Sequence, residues 1–294
     1  MEEKLFDKSA AGSKAKGLWL TAMDIVLFIV LVIVIDTLAA MPLKYAFAEL
    51  PIEEIMKNIP LLILRQTIMM VSVFVAAIVV LRIRKIPFSQ IGLSYRGKDL
   101  LAGILFAVVL YALGFGISLL LGVVEVVDIH FQAYSLLLAL VYFLLVSVVE
   151  EVAMRGLVLG RLLDGRVNKF WALLISSTLF SLIHLSNPNF TLIPFINILL
   201  AGLMLGASYL YTRNLCFPIA LHWFWNWLQG PVLGYEVSGN RLGDSSLLAI
   251  YLSENNLING GAFGFEGSIL CTALMVIGTV IILGYYTKRS ASKS

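Results

Sequence analysis

Apolar runs, most of them long enough to cross a bilayer as a helix, recur along the whole chain, and they decide what it can fold into. A membrane-crossing helix needs about 20 consecutive apolar residues. The runs are Leu18–Met41, Leu61–Leu81, Leu100–Gly122, Phe131–Leu162, Phe170–Leu185, Thr191–Tyr211, Phe217–Gln229 and Gly267–Tyr286. At thirteen residues the seventh is short, so it either tilts into protein or borrows from its flanks. Only 13% of the residues are charged, against about 25% in soluble domains. The sequence therefore predicts an all-α, polytopic membrane protein with about eight transmembrane helices.

Charge placement then orients it. Counted by alternate loops, Lys4, Lys8, Lys14, Lys16, Arg82, Arg84, Lys85, Arg96, Lys98, Arg161, Arg166, Lys169, Arg213, Lys288, Arg289 and Lys293 fall on one side, sixteen in all. The other side has three, Lys44, Lys57 and Arg241. Cytoplasmic loops carry the lysine and arginine excess, so both termini are expected in the cytoplasm of a multi-pass cell-membrane protein. The expected organisation is a cytoplasmic tail at 1–17, one membrane domain at 18–286 with its core at 131–229, and a second tail at 287–294. No cleavable leader is expected, because the first residues are polar and the first apolar run has helix length. The basic residues lie at helix ends, so the net charge of +3 gives no sign of nucleic-acid binding. Cys216 and Cys271 are isolated and suggest neither a disulfide framework nor a metal site. The stretch 230–266 reads as a long outer loop, with turn signals at Asn255–Asn256 and Gly260–Gly261.

Against this apolar background, Glu150, Glu151 and Arg155 stand out inside the fourth run. Charges at a helix centre cost roughly 2.5–3.5 kcal/mol on insertion scales, so they need partners and mark functional sites. Glu151 and Arg155 are i,i+4 neighbours with the acid first, the favourable order. Glu150 then points about 100° away, without a partner in its own segment. Further polar residues with candidate chemistry sit in apolar runs: His184 in the fifth, and His222 and Asn226 in the seventh, spaced i,i+4 on one face. Asp24, Asp36, Arg65 and Gln66 lie mostly near helix ends and read as structural, and Trp223, Trp225 and Trp227 read as interface anchors or packing.

A carboxylate, two imidazoles and an amide at similar depth form an expensive way to glue helices together. The chain has no intramembrane Asp pair, no GxSxG and no HExxH. A carboxylate held out of water suits general-base work on a water molecule. Histidine and asparagine on one helical face suit hydrogen bonding to a developing oxyanion. Glu150, His184 and His222 are equally a conceivable catalytic zinc set, and spacing alone does not separate the two chemistries.

The three clusters resemble a known family. Glu150-Glu151-Val-Ala-Met-Arg155 is similar to its EExxxR motif, Phe180-Ser-Leu-Ile-His184 to FxxxH, and His222-Trp-Phe-Trp-Asn226 to HxxxN. The family is that of the CAAX prenyl proteases and bacteriocin-processing enzymes (CPBP, or Abi), intramembrane proteases, and the resemblance covers about residues 141–228 with the motifs in order. It implies eight helices around an intramembrane catalytic cavity, and an endopeptidase acting on membrane-associated peptide or protein substrates. By the resemblance Glu150 and His184 activate water, His222 and Asn226 serve the oxyanion, and Glu151 and Arg155 support the site. The family is commonly labelled metalloprotease, yet a metal-free glutamate mechanism is also argued for it; no cofactor is favoured here, with zinc as the alternative. A silent membrane scaffold and a proton-relay transporter are the competing readings; intact motifs speak against the first, and the absence of repeat symmetry against the second.

Overall fold

The computed structural model describes residues 2–243, 246–254 and 256–291, with side chains from residue 17 to 289. Asn255 of the expected Asn255–Asn256 turn lies outside the described residues, as do 292–294 of the C-terminal tail and the side chains of Lys4, Lys8, Lys14 and Lys16. The helices in chain order are α1 (Glu2–Ala46), α2 (Ile52–Lys57), α3 (Ile59–Ile83), α4 (Gly97–Leu120), α5 (Ala133–Glu151) and α6 (Gly160–Asp164). There follow α7 (Lys169–Leu182), α8 (Leu192–Thr212), α9 (Cys216–Trp227), α10 (Asn256–Asn259) and α11 (Ile269–Ala291). Two π-helical stretches, Val152–Leu159 and Leu228–Val232, extend α5 and α9.

Among the described residues, six helical stretches are long and apolar enough to cross a membrane: Gly17–Ala46, Ile59–Ile83, Gly97–Leu120, Ala133–Asp164, Leu192–Thr212 and Ile269–Arg289. The remaining two of the eight expected segments form the shorter α7 and α9. The fold is a polytopic helical bundle with an apolar outside. Val26, Ile33 and Leu38 on α1, Leu101 and Val109 on α4, and Val280 on α11 are all exposed. Of these six spans α8 is the most buried, packed between α7 and α11. Close approach is set by small residues, as expected where lipid supplies no hydrophobic drive between helices. A Cβ on Gly103 of α4 would meet the Phe217 carbonyl of α9 at 2.6 Å, and one on Gly202 of α8 would meet Ser177 of α7 at 2.7 Å.

The charges near helix ends are paired between helices. Arg65 of α3 forks onto Asp36 of α1 at 2.9 and 2.6 Å. At the other end of the bundle Asp24 of α1, 1% exposed, accepts from Arg84 at 2.6 Å and from Arg161 at 2.8 Å. Arg161 also reaches Asp164, which in turn receives Arg213 at 2.9 Å. Asp24→Asn leaves two guanidinium groups without their shared anion. The expected loss is about 3 kcal/mol, the lower end for a broken buried pair, because Arg84 keeps contact with solvent. A thermal melt in detergent should show it, while the folded fraction keeps wild-type turnover; an unchanged melt would mean the latch is idle.

At the opposite end the connections gather into a roof. β1 (Val124–Ile129) and β2 (Leu248–Leu252) pair antiparallel, with an irregularity between Val126 and Asp128. The sequence pattern gave no expectation of this ribbon. Gly260 and Gly261 turn with φ of 88° and 56°, as their dipeptide predicted. Further ties are Gly243 N to the Met56 carbonyl at 3.1 Å and Asn187 Nδ2 to the Ser238 carbonyl at 3.0 Å.

Candidate active site

α5 carries the acidic pair at its last turn and runs straight into the π-helical stretch, whose wider turn follows Glu151. π segments are frequent at functional sites. The Glu151–Arg155 pair persists across it: Arg155 Nη1 donates to Glu151 Oε1 at 2.7 Å, with both side chains essentially inaccessible. Arg155 also donates to the Gly202 carbonyl of α8 at 3.2 Å and stacks 4.4 Å over the Phe180 ring. Each of its three faces is therefore assigned, which fixes the guanidinium and through it the carboxylate.

α9 approaches α5 directly. The indole N–H groups of Trp223 and Trp227 donate to the carbonyls of Leu140 and Leu136, one turn apart on α5, at 2.8 and 3.1 Å. Those tryptophans set the register of the two helices, which brings His222 between the glutamates. His222 Nδ1 lies 2.9 Å from Glu151 Oε1, and Nε2 lies 3.7 Å from Glu150 Oε2. An ionised carboxylate only accepts, so Nδ1 carries a proton toward Glu151, and Nε2 is the atom turned to Glu150.

His184 follows α7 in a turn, rather than lying within the helix as its position in the fifth run suggested. Its Nδ1 is 2.8 Å from the Phe180 carbonyl, and Phe180 packs edge-on against both His184 and His222, at 4.9 and 6.1 Å. Phe180 thus touches three of the polar site residues. Glu150, His184, His222 and Asn226 all line one cavity of about 370 Å³. Its floor is apolar, from Ile198, Ala201, Met204, Leu205 and Leu221, and its roof is polar, from Asn187, Ser238, Asn240 and Glu266. Glu151 and Arg155 stand behind this wall and are not part of its lining.

The sequence reading missed two lining residues with chemistry. Tyr142 sits on α5 two turns before Glu150, and its signal, a lone tyrosine in an apolar run, is common. Glu266 is an acid enclosed by glycine and aromatics in Phe263-Gly-Phe-Glu-Gly267, a pattern that flags burial once it is looked for. Among the described residues, no three His, Cys, Asp or Glu side chains are placed to hold a metal ion. Glu150, His184 and His222 are not brought together as such a group, although each ring has Nδ1 turned to Phe180 or Glu151 and keeps Nε2 for the cavity. No step is derived through a metal.

Fold and site together define a multi-pass membrane protein with a carboxylate–histidine–amide cavity inside its bundle. Residues 132–228 match the family model described as type II CAAX prenyl endopeptidase Rce1-like. The chain thus carries an Rce1-like domain, in agreement with the CPBP resemblance, and that domain spans all three motifs. The match supports a CAAX-protease-like membrane protease. Searches of curated proteins and of solved structures returned no match.

Proposed function

We propose that this protein is an intramembrane endopeptidase that hydrolyses peptide bonds of membrane-associated substrates with water activated by Glu150 and His184. The observation that carries the proposal is the convergence of Glu150, His184, His222 and Asn226, from three helical segments, on one cavity within the matched region. Glu150 takes a proton from the water as oxygen attacks the scissile carbonyl, and later delivers it to the leaving amine. His184 holds the same water from across the cavity. His222 and Asn226, one turn apart on α9, donate to the oxyanion. For His222 to donate from Nε2 while Nδ1 stays on Glu151, the ring carries both protons, and the flanking carboxylates balance that charge. Glu151 and Arg155 are positioning residues: Glu151 fixes the His222 ring, and Arg155 fixes Glu151.

The orientation that goes with this reading has both termini and the 82–98 loop cytoplasmic, in a cell membrane. The domain limits proposed from the sequence, 18–286 with the core at 131–229, are kept. Catalysis without a tightly bound ion is favoured because an amide such as Asn226 is a poor zinc ligand. The test is cleavage of a library of lipid-anchored peptides by the purified protein in nanodiscs, with Glu150→Ala as the blank and zinc content measured in parallel. Cleavage by wild type alone is the expected result. Equal activity in the blank would end the hydrolytic assignment. Stoichiometric zinc lost in His184→Ala, with chelator-sensitive turnover, would hand the reaction to a metal centre.

A further inference from the structure

The cavity wall contains a second carboxylate that the hydrolytic set does not use. Glu266, in the turn Phe265–Gly267 ahead of α11, lines the cavity together with Glu150 and is 4% exposed. Its Oε2 accepts from the Ser238 backbone N–H at 3.0 Å, from Ser238 Oγ at 2.7 Å and from Gln229 Nε2 at 3.4 Å. Its Oε1 accepts from Trp225 Nε1 at 3.0 Å. Every one of these donors is neutral. They fix the carboxylate in place without cancelling its charge.

Among the described residues, no lysine or arginine lines the cavity. Arg155 is engaged behind Glu151 and reaches no lining position. The cation nearest in sequence to the roof is Arg241, exposed between the lining residues Asn240 and Leu242. It faces another acid: burial pushes the Glu236 carboxyl up, and the nearby Arg241 charge partly holds it down. The cavity therefore presents two carboxylates to whatever occupies it, and its one cationic lining group, the His222 ring, is already paired with Glu151 at 2.9 Å. A field from charges set in a low-dielectric wall acts over several ångströms and is weakly screened by salt.

We propose that Glu266 is a specificity residue, selecting substrates with a lysine, an arginine or a free amino group beside the scissile bond and rejecting those with a carboxylate there. The reaction named rests on the hydrolytic reading above; the binding preference does not. Acylated peptides of one sequence, with Lys, Gln or Glu substituted at each position in turn, serve as probes in phosphatidylcholine nanodiscs. Their binding to Glu150→Gln protein is read by fluorescence anisotropy, and their cleavage by wild type in the same discs. Removing the Glu150 charge leaves Glu266 as the anion under test. At one or more positions the Lys peptide is expected to bind about tenfold tighter than the Glu peptide, with Gln between them. The order should collapse in the Glu150→Gln, Glu266→Gln double variant and survive in Ser238→Ala, which loosens the same turn but keeps the charge. Binding that ignores charge, failure of the Lys peptides to bind, or an order that survives Glu266→Gln would overturn the proposal. Charge-ordered binding without any cleavage would count against the hydrolytic reading alone.

Discussion

Glu150→Gln is expected to give a stable, well-expressed protein with almost no turnover. Glutamine keeps the size and hydrogen-bonding shape of the side chain but does not take up a proton at working pH. Loss of a general base costs typically 10²–10⁴-fold, and residues that act as a unit lose more. Glu150 has no hydrogen-bonded cation, its nearest charged-group contact being His222 Nε2 at 3.7 Å. Removing its charge leaves His222 paired with Glu151 at 2.9 Å, so the melt should stay level or rise. The contrast is Glu151→Gln, where Arg155 loses its anion and His222 its anchor; there the catalytic loss comes with destabilisation. Side-by-side kinetics and melts of the two variants separate the roles. Wild-type cleavage by Glu150→Gln would falsify the assignment of the base.

Arg155→Ala should produce the other large effect, on stability first. Glu151 is 0% and Arg155 1% exposed at the side chain, so the substitution strands a carboxylate in a dry interior. Removing one partner of such a pair costs about 3–5 kcal/mol. The same change opens a void over Phe180, which packs on both histidines. Any protein that still folds should turn over slowly, because nothing then holds Glu151 against His222. Arg155→Lys restores charge but not the planar fork that reaches Glu151, Gly202 and the Phe180 face together, so intermediate stability and activity are expected. An Arg155→Ala protein with a wild-type melt and full kcat would remove the arginine from the site.

Much of this arrangement was legible because it is written in short-range spacing. The apolar runs located all eight segments, and the i,i+4 pair Glu151–Arg155 and the i,i+4 face of His222 and Asn226 follow from helix geometry alone. That one imidazole sits between Glu150 and Glu151, bonded to the second and facing the first, was not legible. It depends on the register of α9 against α5, which two indole-to-carbonyl bonds fix and which no local pattern encodes. The apolar neighbours Leu182, Ile183 and Leu185 extend the helical pattern past His184, yet α7 stops two residues earlier and the turn aims the ring. The π stretch after Glu151 leaves no proline as a marker. Glu266 escaped because it belongs to a stretch read as loop, and its role comes from contacts with Ser238, Trp225 and Gln229, distant in the chain.

The shortness of α7 has a consequence for the surrounding bilayer. Its 14 residues rise about 21 Å, whereas the hydrocarbon slab is about 30 Å thick. This helix faces outward with Phe170, Trp171, Ile175 and Leu182 exposed. Lipid beside it must thin to match, at a cost of fractions of a kcal/mol per ångström. Such thinning would draw the two leaflets together along α7, whose last turn leads into His184. A peptide segment approaching along α7 is expected to cross less hydrocarbon to reach His184 than one approaching along a full-length span.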